Sequence, residues 1–356
     1  MARGPRVAVV ALVALVGLCS GAAAQNLAFS LFDRYLDALR IQLGIPGLSA
    51  AIVQDGTIVW DRSYGFADVE NAQPARIDTP YLVGDLTQIF TTMILAECAE
   101  RGLVRRDSPL RDWVPLAPDP PATLQQVLSH TSGPTGTFKY DLGRFALLTA
   151  VAEQCTADTF RKTMAKEILE RATMSDAVPG RDFAALTIGD EPMFDAATQT
   201  KYRAIVQRMA AAYKVDKRGR ATRSDALPSY LNAATGLVAS VLDLAKFEQR
   251  LTPDHPNAVL VRADTLEQIF TNETVNGVPV PTALGWFAQT YQGERLVWQF
   301  GLIPDGYSAL YLRIPARRLT LILLANSDGL SAPFSLQDGN VTSSLFAQTF
   351  LRVFLQ

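Results

Sequence analysis

Few residues in this chain are placed to do chemistry. There are two histidines, His130 and His255, and outside the first two dozen residues two cysteines, Cys98 and Cys155. Four such residues, far apart in sequence, do not have the spacing of a zinc site. No Gly-rich loop is followed by the Lys and Ser/Thr of a phosphate cradle. The Gly-x-Ser-x-Gly turn of a nucleophilic serine is also absent. What stands out is Asp85-Leu-Thr-Gln88, the first turn of the amphipathic stretch from Val83 to Gly102. An Asp at a helix start followed three residues later by Gln has the pattern of a capping box, each side chain accepting from the other's backbone N–H. The same carboxylate could serve as a general base, but the positive helix end predicts a lowered pKa and therefore a weak base.

The elements that position this turn are legible in the periodicity. Phe32, Tyr35, Leu36, Leu39 and Leu43 share one helical face that ends at Gly44 and Pro46. Two β-rich runs then flank Asp55-Gly56, a hairpin signal. Near the other end, 284–301 and 307–326 read as four strands, and Leu345, Phe346, Phe350, Val353 and Phe354 recur at helical spacing. Strands at both ends with helices between them predict one α/β (α+β) unit. An antiparallel sheet is built from the two chain ends, covered by terminal helices, with a helical lobe inserted. The sheet lobe is placed at about 25–80 and 261–356 and the helical lobe at about 81–260. Ser240 and Asp243 read as an N-cap pair, and Trp60, Trp286 and Trp298 as sheet packing.

The first 24 residues read as a secretory signal: Arg3 and Arg6, the apolar run Val7–Leu18, then Ala-Ala-Ala before Gln25. Cleavage is expected after Ala24, giving a secreted or periplasmic protein without a transmembrane anchor. Removing two arginines takes the formal charge from -2 to -4, which excludes the basic excess of a nucleic-acid binder. An exported chain permits a Cys98–Cys155 disulfide, but both cysteines lie in apolar helical patterns that suit buried thiols equally. Pairing is left open.

Five segments in order, 44–60, 81–95, 124–133, 234–247 and 297–327, make the chain resemble the serine β-lactamase and penicillin-binding-protein superfamily. The nearest branch is that of class C β-lactamases, D-alanyl-D-alanine carboxypeptidases and esterases. The resemblance implies a nucleophilic Ser at the start of the first long helix and a Lys three residues on. Here those positions are Asp85 and Gln88. It implies a Tyr-x-Asn, best matched by Tyr140-Asp141-Leu142, with Tyr230-Leu231-Asn232 as the literal alternative. It implies a strand carrying Lys-Thr-Gly or His-x-Gly, here Gln299-Phe300-Gly301, where the glycine lets substrate approach.

Four of five demanding positions are therefore changed: Asp85, Gln88, Leu142 and Gln299. This predicts a degenerate site with Tyr140 kept and with Leu142, Gln299, Phe300, Gly301 and Leu302 lining the cleft. His130 falls in a segment that shapes a loop. The few residues from Thr131 to Tyr140 predict a more open cleft than usual. An ionised Asp85 ~6 Å from an anionic substrate would cost about 3 kcal/mol at an effective dielectric near 20. The expectation is an exported, inactive homologue with no cofactor or metal, keeping a cleft for a small-molecule or peptidoglycan-derived ligand. A hydrolase working with altered residues is the alternative.

Overall fold

The computed structural model describes residues 25–118, 120–134, 136–185, 187–188, 191–225, 230–252, 255 and 260–355. The signal-sequence reading falls on residues outside that set. Seven strands form one antiparallel sheet: β1 (Gly47–Gln54), β2 (Thr57–Asp68), β3 (Gln73–Pro74), β4 (Phe287–Tyr291), β5 (Glu294–Ile303), β6 (Tyr307–Ile314) and β7 (Leu319–Ala325). Their order is β4-β5-β6-β7-β1-β2-β3, so the C-terminal meander joins the N-terminal hairpin through the β1–β7 pair. Leu48 lies opposite Ala325, and Gln54 opposite Leu319. Asp55 and Gly56 both take positive φ, 51° and 74°. That is the backbone a two-residue hairpin needs to match strand twist.

The strands read as continuous apolar runs because both faces are covered. Along β1, Leu48, Ala50 and Ile52 point into one core while Ala51 and Val53 point into another. The first core lies under α1 (25–42) and the C-terminal helix Leu345–Phe354, where Phe32 meets Trp60 at 5.3 Å and Phe350 at 5.8 Å. The second is shared with the helical insertion. Its helices include α2 (Thr87–Glu100), α3 (Leu124–Leu128), α4 (Leu142–Ala146), α5 (Leu148–Thr156), α6 (Ala196–Gln207), α7 (Val241–Leu251) and α8 (Ala263–Phe270). The C-terminal helix is α9.

α7 begins with the anticipated cap: Ser240 accepts from the Asp243 backbone, and Asp243 reaches back to the Ser240 N–H. Phe247 of α7 packs on Phe90 of α2 at 4.5 Å. Cys98 and Cys155 form a disulfide that ties α2 to α5. The tryptophans Trp286 and Trp298 are buried in the sheet region, as is most of Trp60.

Candidate functional site

Asp85 does not cap the helix. It lies inside a 3-10 turn, Gly84–Leu86, that runs into α2, and neither Val83 before that turn nor Leu86 before α2 makes a side-chain capping bond. The turn satisfies itself instead. The Leu86 N–H donates to the Val83 carbonyl, and the Thr87 hydroxyl donates to Gly84 O at 2.7 Å. A residue already inside the turn has no free N–H two or three positions ahead within its reach, so the capping-box expectation for Asp85 and Gln88 fails.

Both side chains are turned into a buried polar chain. The Asp141 N–H donates to His130 Nδ1 at 3.1 Å. The other ring nitrogen therefore carries the proton, and Nε2–H donates to Gln88 Oε1 at 3.0 Å. Gln88 Nε2 donates to the Tyr140 hydroxyl at 2.8 Å, and that hydroxyl donates to Asp85 Oδ2 at 3.1 Å. One direction runs through four side chains, with each donor matched to an acceptor.

Aromatic packing holds the chain in place. The His130 ring is 4.4 Å from Tyr140 and 5.3 Å from Phe145 on α4, and Tyr140 rests on Phe300 and Phe287 at 5.4 and 5.8 Å. His130 adopts φ 55° and its carbonyl accepts from Lys139, so it shapes the loop as well. Its bond to Gln88 is what the sequence reading missed. Nothing in the His130–Gln88 separation announces that contact; only the scarcity of histidines could have singled it out.

Burial sets the protonation states. Asp85 is 2 % exposed and its carboxyl is pushed up to about 7, chiefly by desolvation, against the lowering bond from Tyr140. This reverses the expected lowering by the helix end, because loss of water outweighs the turn's dipole. Desolvation takes His130 down to about 3, so the imidazole is neutral, and raises the Tyr140 phenol well above its ordinary value.

The remaining predicted positions separate. Gln299 is buried with both ends of its amide used: Nε2 donates to Gly285 O at 3.0 Å and Oε1 accepts from the Phe300 N–H at 2.9 Å. Phe300 and Gly301 are also buried. A Cβ at Gly301 would fall 1.9 Å from Val83 O, so the space the glycine leaves is taken by this chain's own backbone, not left to a substrate. Leu302 is half-buried and Leu142, at the start of α4, is exposed. The short Thr131–Tyr140 interval does not open the first-motif positions, because Tyr140 folds back onto Asp85 and Gln88, which are buried. The literal alternative, Tyr230, is 53 % exposed, and Asn232 closes a local turn by accepting from Ala234 and Thr235. Among the described residues no group of three His, Cys, Asp or Glu side chains could hold a metal, and no helix is long and apolar enough to cross a membrane.

A family model described as Beta-lactamase matches residues 32–344. The chain belongs to the beta-lactamase family. Human "Serine beta-lactamase-like protein LACTB, mitochondrial" is 30% identical over 105 residues, 28% of this chain and 19% of that protein. The chain thus spans about a fifth of the length of the first curated relatives it matches. The octameric penicillin-binding protein homologue from Pyrococcus abyssi superposes with TM-score 0.70 at 21% identity, covering 86% of this chain and 75% of its own. D-alanine carboxypeptidase AmpC from Burkholderia cenocepacia gives 0.69 at 17% identity, covering 91% and 99%. Both likenesses establish the fold. The turn leading into α2 holds Asp85 and Gln88 and carries neither Ser nor Lys.

Proposed function

We propose that this chain is an exported member of the beta-lactamase family that has lost acyl-transfer chemistry and retains its scaffold for binding. The observation that carries the reading is the closed chain His130–Gln88–Tyr140–Asp85. Acyl transfer needs a hydroxyl nucleophile and a base that takes its proton. The position of the hydroxyl holds a carboxyl, and the position of the amine holds an amide whose two ends are already occupied. Tyr140 spends its proton on Asp85. Export is supported by the leader pattern of residues 1–24 and by the Cys98–Cys155 disulfide, since such bonds persist in oxidising compartments.

The ligand class follows from charge. Above pH 7 an ionised Asp85 disfavours anions at this end of the scaffold, so a neutral or cationic small molecule, or an uncharged peptidoglycan-derived fragment, suits it better. The test is intact-protein mass after incubation with penicillins, cephalosporins and activated esters. The native chain is expected to stay unlabelled, while the Asp85→Ser/Gln88→Lys double variant takes up one acyl group. A stoichiometric adduct on the native chain would overturn the reading, and the modified residue would identify the true nucleophile.

One observation favours a second reading. A buried carboxyl with a pKa near 7 is tuned for general-base catalysis at neutral pH. Asp85 would then activate water for hydrolysis of an ester or amide. Activity rising through pH 7 and abolished by Asp85→Asn would establish it. Activity indifferent to that substitution would exclude Asp85 from the chemistry.

A further inference from the structure

Along the C-terminal half of α2 (Thr92, Leu95, Ala96, Ala99 and Glu100), a pocket of about 430 Å³ opens between α2, α3 and α8. Its floor is aliphatic: Leu95, Val104, Leu124, Leu128, Ile269 and Leu284 are all buried and all line it. Its mouth is charged, with Arg105, Arg106 and Arg262 set among Glu100 and Asp107. Two of these arginines are already neutralised. Arg105 pairs with Asp107 at 2.7 Å, and Arg262 with Asp264 at 3.1 Å, while Glu100 accepts from the Arg262 backbone N–H. Arg106 differs: its guanidinium bonds only the neutral amide of Gln268, at 2.6 Å, and no carboxylate lies within ion-pair distance among the described residues.

We propose that this pocket binds a medium-chain amphiphilic carboxylate, its alkyl chain on the aliphatic floor and its carboxylate paired with Arg106. The volume lies at the small end of ligand pockets, which suits a single chain better than a multi-ring body. Glu100 at the same rim is held by the Arg262 backbone N–H, which leaves the Arg106 guanidinium above an apolar interior as the group that favours an anionic amphiphile over a neutral or cationic one.

The pocket also shares its walls with the Asp85 site. Thr92 lines it and donates to the Gln88 carbonyl at 3.0 Å. Leu128 and Leu284 line it as well, and Gly285, next to Leu284, donates to Leu128 O and accepts from Gln299. At Gly285 a Cβ would sit 2.0 Å from the Thr92 hydroxyl, so this glycine packs directly against α2. The proposal does not depend on what Asp85 does.

The experiment is calorimetric titration of the full chain with decanoate, alongside decyltrimethylammonium and decanol. Decanoate is expected to bind saturably, one per chain, with the cation not binding and the alcohol weaker. Arg106→Gln is expected to weaken decanoate about tenfold, the loss of one charge-assisted contact. Ala99→Phe and Thr265→Trp fill the pocket from opposite walls, and either one, with folding checked by circular dichroism, is expected to abolish binding. No saturable binding of decanoate overturns the proposal. So does equal binding of the cation, or decanoate affinity indifferent to Arg106→Gln and to the filling variants.

Discussion

At the scale of single residues, Asp85 and His130 are two buried groups displaced in opposite senses, and their effects on stability oppose each other. Asp85 moves from 3.8 up to about 7, so the folded state holds a proton that the unfolded chain has released. Its contribution is fully present below pH 3.8 and is lost as pH rises to about 7, worth at most about 4 kcal/mol. His130 moves from 6.5 down to about 3, so the unfolded chain takes up the proton first. Stability drawn from the neutral imidazole is therefore lost as pH falls below 6.5.

Between pH 3.8 and 6.5 the two slopes cancel in the native chain. Asp85→Asn, which still accepts from Tyr140, should gain stability over the native protein as pH rises, levelling above pH 7. His130→Asn, whose side chain tolerates the positive φ, should gain as pH falls. Denaturant titrations at pH 4, 5.5, 7 and 8 check both. A stability difference for Asp85→Asn that does not change with pH would mean that Asp85 is not protonated in the fold.

Elements are held to one another by close contacts that tolerate little. The 83–86 turn lies against β5 because Gly301 has no side chain: a Cβ there would overlap the Val83 carbonyl at 1.9 Å. Gly301→Ala must push strand and turn apart, and a loss of about 2 kcal/mol or more is expected, of the size of overpacked cores. The distortion falls on Asp85, so its effective pKa should shift in the same variant, which carboxyl NMR titration would read. The disulfide acts at the same scale. Cross-linking residues 57 apart restricts the unfolded chain by about 4 kcal/mol in the loop-entropy treatment. Cys98→Ala/Cys155→Ala, or reduction, should lower unfolding free energy by up to that amount while leaving the sheet intact, as far-ultraviolet circular dichroism would show.

For the molecule as a whole, the proposed export is the reading most directly testable. Expressed in a secreting bacterial host, the mature protein should begin at Gln25, a site N-terminal sequencing identifies. A retained N-terminus would remove the support the leader gives to an oxidising location, although the disulfide would still need one to form.

The sequence by itself determined the architecture. Periodicities of two and of three to four residues report which faces are buried, and the order of the five family-like segments then points to both chain ends in one sheet, as found. It also determined that Ser and Lys are missing from the first turn, since residue identity needs no geometry. What only the tertiary structure decided is what Asp85 and Gln88 do there. The Asp85–Gln88 spacing fits a capping box as well as a buried network, and the choice depends on His130 and Tyr140, which lie 42 and 55 positions away along the chain from Gln88 and Asp85, their respective partners. The sign of the Asp85 shift was undecidable for the same reason. A helix end lowers a carboxyl pKa and burial raises it, and how much water a side chain keeps is a property of the packed molecule, not of the neighbouring residues.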